Sequence, residues 1–218
     1  MKPGPDKVLA CPNCETLIVV FSLASGNTID ARTWTDCKME APMLPELPAL
    51  AKCNTCQAYY WLADAQPVGE IPLWGPQREA IPESWKKAAR IRDLTEEELF
   101  EALDRGVAKS RDQELYLRFR TWWAGNDVWR DEPSQNVGLG KAARRPEAVH
   151  NLESLLNILD DDKLSERLFK AEILRELERY AEALLLLDTA FPASLLPTVE
   201  LIRSLAREND PLVREMIE

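Results

Sequence analysis

The sequence predicts an α+β fold, mainly α, with a small N-terminal β module followed by an antiparallel helical domain. Three observations carry this reading. Cys11-Pro12-Asn13-Cys14 and Cys53-Asn54-Thr55-Cys56 form two C-x-x-C pairs beside β-prone runs. Between 64 and 92, Pro67, Pro72, Pro76 and Pro82 with Gly69 and Gly75 break both the helix and the strand period. From Thr95 onward, helix-start signals alternate with apolar residues at helical spacing. The 218 residues thus divide into a module at 1–63, a Pro-rich linker at 64–92 and a helical domain at 93–218.

The four cysteines come first because their spacing has a chemical reason. A two-residue gap lets both sulfurs of a tight turn face one metal, and two such turns supply four thiolates. Asn and Pro inside the pairs favour the turn, and Lys7 and Lys52 offset part of the negative charge. Cys11, Cys14, Cys53 and Cys56 are therefore the expected metal ligands, with one structural zinc per chain. Four thiolates leave no open position for water or substrate. A thioredoxin-type redox motif would need a helix directly after its first cysteine, whereas Glu15 to Phe21 reads as strand. Disulfides would need an oxidising compartment, and Met1 to Pro5 does not resemble a signal peptide, so the expected location is the cytoplasm. Cys37 is the odd cysteine; it reads as a small buried hydrophobe and stays outside the ligand set.

Within the β module, Thr16 to Ala24 is β-rich, Ser25-Gly26-Asn27 is a turn signal, and Thr28 to Lys38 reads as the returning strand. Ala41 to Pro48, with three prolines, must be extended. The second cysteine pair leads into the strand-like Gln57 to Trp61. In the linker, Trp74 and Trp85 are large aromatics, which predicts that the segment packs along its neighbours.

The helical domain opens with Thr95-Glu96-Glu97-Glu98, a capping box that Leu94 and Leu99 can staple. Ser110-Arg111-Asp112-Gln113 repeats the device for a second helix, with Leu115, Phe119 and Trp122 inward and an expected end at Ala124-Gly125-Asn126-Asp127. A loop follows at Pro133 to Arg145. Pro146 starts a third helix whose Val149, Leu152, Leu155, Leu156 and Leu159 form one stripe. Pro197 and Asp210-Pro211 read as further helix starts, the latter with Val213, Met216 and Ile217 on its apolar face.

Between Leu164 and Ala190, the residues Ala171, Leu174, Tyr180, Ala183, Leu187 and Ala190 fall where tetratricopeptide repeats place their packing residues. This stretch resembles one tetratricopeptide-type hairpin, departing from it at Glu178, where Gly is common, and at Leu195, where Pro is common. The cysteine pairs resemble zinc-ribbon knuckles, departing from them at Glu15 and Gln57, where Gly often follows the second cysteine, and in the 38 residues between the pairs. The plan is similar to that of bacterial proteins that join a zinc-ribbon-like module with four cysteine ligands to degenerate tetratricopeptide-like helices. That resemblance implies a non-enzymatic interaction protein, a scaffold or adaptor whose helical groove takes a protein or peptide.

Charge and chemistry narrow the function further. The net charge is −10, and residues 146–218 carry 16 acidic against eight basic groups. Such a surface prefers basic partners and repels phosphate backbones, so nucleic acid is disfavoured. No run approaches the roughly 18 apolar residues of a membrane span. With His150 as the single histidine, no Ser-His-Asp or Cys-His set assembles, and no Gly-rich phosphate loop is present, so no catalytic residue is expected. The Asp160-Asp161-Asp162 run reads as a solvated helix end. Arg120, Trp123 and Trp129 are the candidate partner-binding residues, because adjacent Trp122 and Trp123 point about 100° apart on a helix and one must leave the core stripe. Two alternatives stand beside this reading. One is a nucleic-acid-associated zinc ribbon that stacks bases on Tyr59-Tyr60-Trp61 beside Lys7 and Lys52; the other is a thiol redox sensor using Cys37.

Overall fold

The computed structural model describes residues 1–130 and 144–216. The chain divides into two compact units: Met1–Ala31 with Glu40–Thr95, and Arg32–Met39 with Glu96–Glu218. The first carries small sheets and the second is helical.

In the first unit the strand Asp6–Ala10 lies between Leu17–Val20 and Gln66–Ile71, antiparallel to both, and Ala89–Arg90 adds a short parallel strand on Leu17–Val20. The expected return strand at Thr28 to Lys38 is overturned. Leu17–Val20 pairs instead with the residues before the first cysteine pair, Val8 opposite Val19 and Leu9 opposite Ile18. The reason is local: the cysteine pair is itself the hairpin turn. A second hairpin repeats this, with Leu50–Lys52 and Tyr59–Trp61 joined through Cys53–Cys56.

Alternation along the central strands buries both faces of this sheet. Val8, Val19 and Ile71 pack with Ile81 and Trp85 on one side. Ile18 and Val20 pack with Cys11, Ala51, Cys53 and Tyr60 on the other. The stretch read as a linker contributes to this core, since it holds the strand Gln66–Ile71 and two short helices, α1 (Pro76–Glu79) and α2 (Glu83–Lys87). The ring edge of Trp85 on α2 reaches the backbone of Gly69, where a Cβ would stand 2.2 Å from Cη2. Only glycine admits that approach. Trp74 does not pack in this way and is 72% exposed.

The second unit holds α3 (Glu96–Asp104), α4 (Arg111–Arg130), α5 (Pro146–Ile158), α6 (Leu164–Glu176), α7 (Tyr180–Leu187) and α8 (Leu196–Arg207). Ser110 caps α4 as its sequence requires, its Oγ accepting the Gln113 N–H at 3.2 Å while Gln113 Oε1 accepts from the Lys109 N–H at 2.7 Å. The expected end of this helix at 124–127 is overturned, because α4 runs through Gly125 to Arg130. Gly125 is a packing residue; a Cβ there would sit 3.1 Å from Glu96 Oε1 on α3. The loop expected from Pro133 lies outside the described residues up to 143.

Helix α6 has no solvent face over its last six residues, 171–176. Ile173 and Phe169 pack with Trp122, Leu152 and Leu155 from α4 and α5. Leu168 and Ala171 pack with Leu187, Val199 and Ile202 from α7 and α8. The helix closes with Glu178 in the left-handed region at φ +62, its N–H on Arg175 O and the following N–H on Leu174 O. Glycine is the usual residue in such a closure, and a side chain there costs about 1 kcal/mol.

The third side of α6 meets the hairpin Arg32–Met39. Asp36 is fully buried and accepts four hydrogen bonds: two from Arg130, at 3.1 and 2.6 Å, one from Asn126 Nδ2 at 2.9 Å and one from the Lys38 N–H at 3.1 Å. Asn126 gives its second N–H to Glu176 Oε1 at 3.0 Å. Arg175 pairs with Glu172 at 2.5 Å and also donates to Thr35 Oγ1 and Asp210 O. The helix expected after Asp210-Pro211 is overturned. Asp210 Oδ1 accepts the Leu212 N–H in a side-chain turn, and Glu215–Met216 forms a strand antiparallel to Arg32–Trp34. Arg32 braces that strand through a bidentate pair with Glu215 at 2.8 and 2.9 Å. Ile217, expected on the same face, lies outside the described residues.

Candidate metal centre

The two cysteine hairpins are built alike. In the first, the Cys11 N–H donates to Thr16 O at 2.9 Å and the Glu15 N–H donates to Cys11 O at 2.9 Å. In the second, the Cys53 N–H donates to Ala58 O at 2.9 Å and the Gln57 N–H to Cys53 O at 3.0 Å. Glu15 and Gln57 have φ +59 and +58. The departure from glycine at these two positions therefore leaves the backbone in the left-handed turn that glycine would adopt. Each turn buries its first cysteine in the core shared with Ile18 and Tyr60 and leaves its second more accessible.

The turns bring Cys11, Cys14, Cys53 and Cys56 together, with all four Sγ atoms within 4.8 Å of one another. Across the turns, Cys11 Sγ lies 3.9 Å from Cys56 Sγ and Cys14 Sγ 3.5 Å from Cys53 Sγ. A tetrahedral ion with sulfur at about 2.3 Å needs edges of about 3.8 Å, so the cluster has the size of a four-thiolate zinc site. These four residues could hold a metal ion. Zinc and iron centres both use four thiolates in this arrangement.

Electrostatics separates the sulfurs. Hydrogen bonding with the Thr16 side chain and backbone lowers the Cys14 thiol to about 6, Cys14 Sγ standing 3.3 Å from Thr16 Oγ1. The backbone N–H of Ala58 lowers Cys56, which also receives the Asn13 amide N–H at 3.7 Å. Burial pushes Cys11 up to about 12. Burial, helped by the surrounding sulfur charges, likewise pushes the Tyr60 phenol up to about 12. A divalent cation reverses this logic for a buried sulfur, because it stabilises the thiolate directly.

Cys37 belongs to the helical unit and lies outside this cluster. It turns the Arg32–Met39 hairpin at φ +60. Burial, followed by the charges of Glu172 and Asp36, pushes its thiol up to about 12, so almost no thiolate is present near neutrality.

The other candidate residues stand as follows. Trp123 is half-buried, its N–H donated to Asp36 O at 3.1 Å and its ring 6.0 Å from Phe119. The Arg120 guanidinium stands 6.0 Å from the Tyr116 ring, and Trp129 is half-buried. Tyr60 and Trp61 are each 6% exposed, and Lys52 sits 5.1 Å over the Tyr59 ring, which leaves little aromatic face for stacking bases. His150 is exposed. Among the described residues, the four cysteines are the only group arranged to hold a metal ion, and no helix is long and apolar enough to cross a membrane.

Sequence reasoning missed the buried polar cluster of Asp36, Asn126, Arg130, Glu172, Arg175 and Glu176. One local signal was available, the crowding of Glu172, Arg175 and Glu176 onto a helix whose neighbouring positions are apolar. Comparison with family models, with curated proteins and with solved structures finds no match to this chain.

Proposed function

We propose that the chain is a non-enzymatic zinc protein that acts as a scaffold or adaptor. Its first unit is stabilised by a structural zinc on four cysteines, and its tetratricopeptide-like helices take a protein or peptide partner. The observation that carries the metal part is the cluster of four sulfurs within 4.8 Å, closed by two matching turns. The partner part is supported by an open groove of about 600 Å³ between α7 and the end of α8, bordered by Glu178, Arg179, Tyr180, Glu182, Leu184 and Arg207. With 16 acidic against eight basic residues in 146–218, a basic peptide is the partner chemistry that complements this surface.

The metal is tested by elemental analysis of protein purified without chelator or acid. About one zinc per chain is the expected result. Protein without metal and with four alkylatable thiols would overturn the structural site. For the partner, a peptide library panned against the zinc-loaded protein should yield Lys- and Arg-rich sequences whose binding weakens about tenfold in Glu178→Lys/Glu182→Lys, a loss of about 1.4 kcal/mol. Enrichment indifferent to both substitutions, or no enrichment, would remove the groove from the reading.

A further inference from the structure

Glu176, the last residue of α6, is buried, and its two oxygens take three N–H donors. Oε1 accepts from Asn126 Nδ2 at 3.0 Å. Oε2 accepts from Trp122 Nε1 at 2.7 Å and from Arg144 Nη2 at 2.7 Å. All three groups at this carboxylate are N–H donors, which favour its ionised form, so a proton added to it weakens their hold.

The three donors differ in freedom. Trp122 is fixed by its ring, which packs against Leu152, Leu155 and Ile173. Asn126 is fixed by its second N–H on Asp36 Oδ2. Arg144 precedes α5, outside any helix, and its side chain retains 12% exposure. It is the donor with a path to water.

Charge balance points to the same residue. Among the described residues, the groups that face this cluster are Asp36 and Lys38 from the hairpin, Asp127 and Arg130 from α4, Glu172, Arg175 and Glu176 from α6, and Arg144. Beyond α8, Asp210 is paired with Arg214 at 2.7 Å. Four acidic groups thus match four basic ones, Lys38 being held by Asp127 at 2.6 Å and Arg130 by both Asp36 and Asp127. Neutralising one carboxylate strands a positive charge in a poorly solvated site, and the least buried arginine is the one that can leave.

We propose that Arg144 and Glu176 form a proton-operated latch in the helical unit: ionised Glu176 holds Arg144 in the buried cluster, and protonated Glu176 releases it. When Arg144 leaves, it also vacates Asn126 Oδ1, which it contacts at 3.0 Å and which is then available to accept the new O–H. Burial pushes the Glu176 carboxyl up to about 7; Glu172 and Asp36 push the same way, against Arg144 and Arg175. The latch therefore works near neutrality. Because the folded state binds this proton more tightly than the unfolded chain, the group's contribution to stability falls as pH rises from about 4.5 to about 7. Closing the latch costs folding free energy and fixes Arg144 in return.

The test is a nuclear magnetic resonance titration of the wild-type chain between about pH 5.5 and 8.5, a window that brackets the Glu176 midpoint. The Glu176 carboxyl carbon should titrate near pH 7. The hydrogen-bonded Arg144 Nη signals, assigned by their absence in Arg144→Lys, should be present at the alkaline end and replaced by free-guanidinium shifts with the same midpoint while helical circular dichroism stays constant. Glu176→Gln should show Arg144 released at the alkaline end, and where that variant fails to fold the wild-type titration decides. A Glu176 carboxyl that stays ionised at the acid end, an Arg144 signal that outlasts Glu176 protonation, or loss of helix in step with the signal would each overturn the latch.

Discussion

Replacing Asp36 with alanine should lower the unfolding free energy of the helical unit by about 3–5 kcal/mol, because it leaves the buried Arg130 guanidinium without its bidentate partner. The cost arises from the partner left behind. Arg130 retains Asp127, a half-exposed carboxylate at 2.7 Å, and the Trp34 ring at 5.1 Å, and Asn126 loses one of its two acceptors. Removing both charges is a different experiment. In Asp36→Ala/Arg130→Met no unpaired charge remains, and the double variant should be more stable than Asp36→Ala alone. Denaturant unfolding followed by helical circular dichroism measures both. A loss under about 1 kcal/mol in the single variant would mean that water reaches Arg130 and that the cluster does not hold the hairpin to the helices. With domain stabilities of about 5–15 kcal/mol, the expected loss is a large share of the total.

The second large effect concerns the metal. Chelation, or Cys11→Ser, should abolish hydrogen-exchange protection of the amides of Asp6–Ala10 and Leu17–Val20 while the amides of α4 and α6 stay protected. Structural zinc in small four-ligand sites contributes about 10–16 kcal/mol of apparent binding free energy, as much as or more than the whole stability of a domain. The unit has a real but small core, with Cys11 and Cys53 inside it, so losing the ion also leaves sulfurs without a partner beside Ile18, Ala51 and Tyr60. Cys37→Ser serves as the control and should leave both protection patterns in place. Protection that survives in Cys11→Ser would show that the sheet stands on its own apolar contacts and that the four sulfurs are not its fastening.

What can be read from the sequence is local. The C-x-x-C spacing specifies a turn whatever surrounds it, which is why the four sulfurs can be located without a fold. The Ser110 cap and the Leu152–Leu155–Leu159 stripe are likewise contained within a few residues. What escapes such a reading depends on distant partners. The short strand Asp6–Ala10 gains its place only by pairing on both sides, with Leu17–Val20 and with Gln66–Ile71. The prolines that suggest a linker are tolerated because Pro67 stands in an edge strand. Gly125 resembles a helix end in sequence, and only the approach of Glu96 shows that it is a packing site. Asp36 finds Arg130 across 94 residues, and Thr35 finds Arg175 across 140. No periodicity reports a charge pair over such separations.

The hairpin at 32–39 also governs how this molecule can be taken apart. The backbone crosses between the two units three times, near residues 31, 39 and 95. A single cut anywhere in the chain therefore cannot yield two complete pieces. A fragment beginning at 93 would contain α3 to α8 yet lack Asp36, exposing the guanidinium of Arg130 and the edge of Glu215–Met216 that the missing strand covers. Such a fragment would regain its missing part only when a peptide spanning Arg32 to Met39 is supplied separately. The two parts are interleaved along the chain, so neither can be produced whole by trimming the other away.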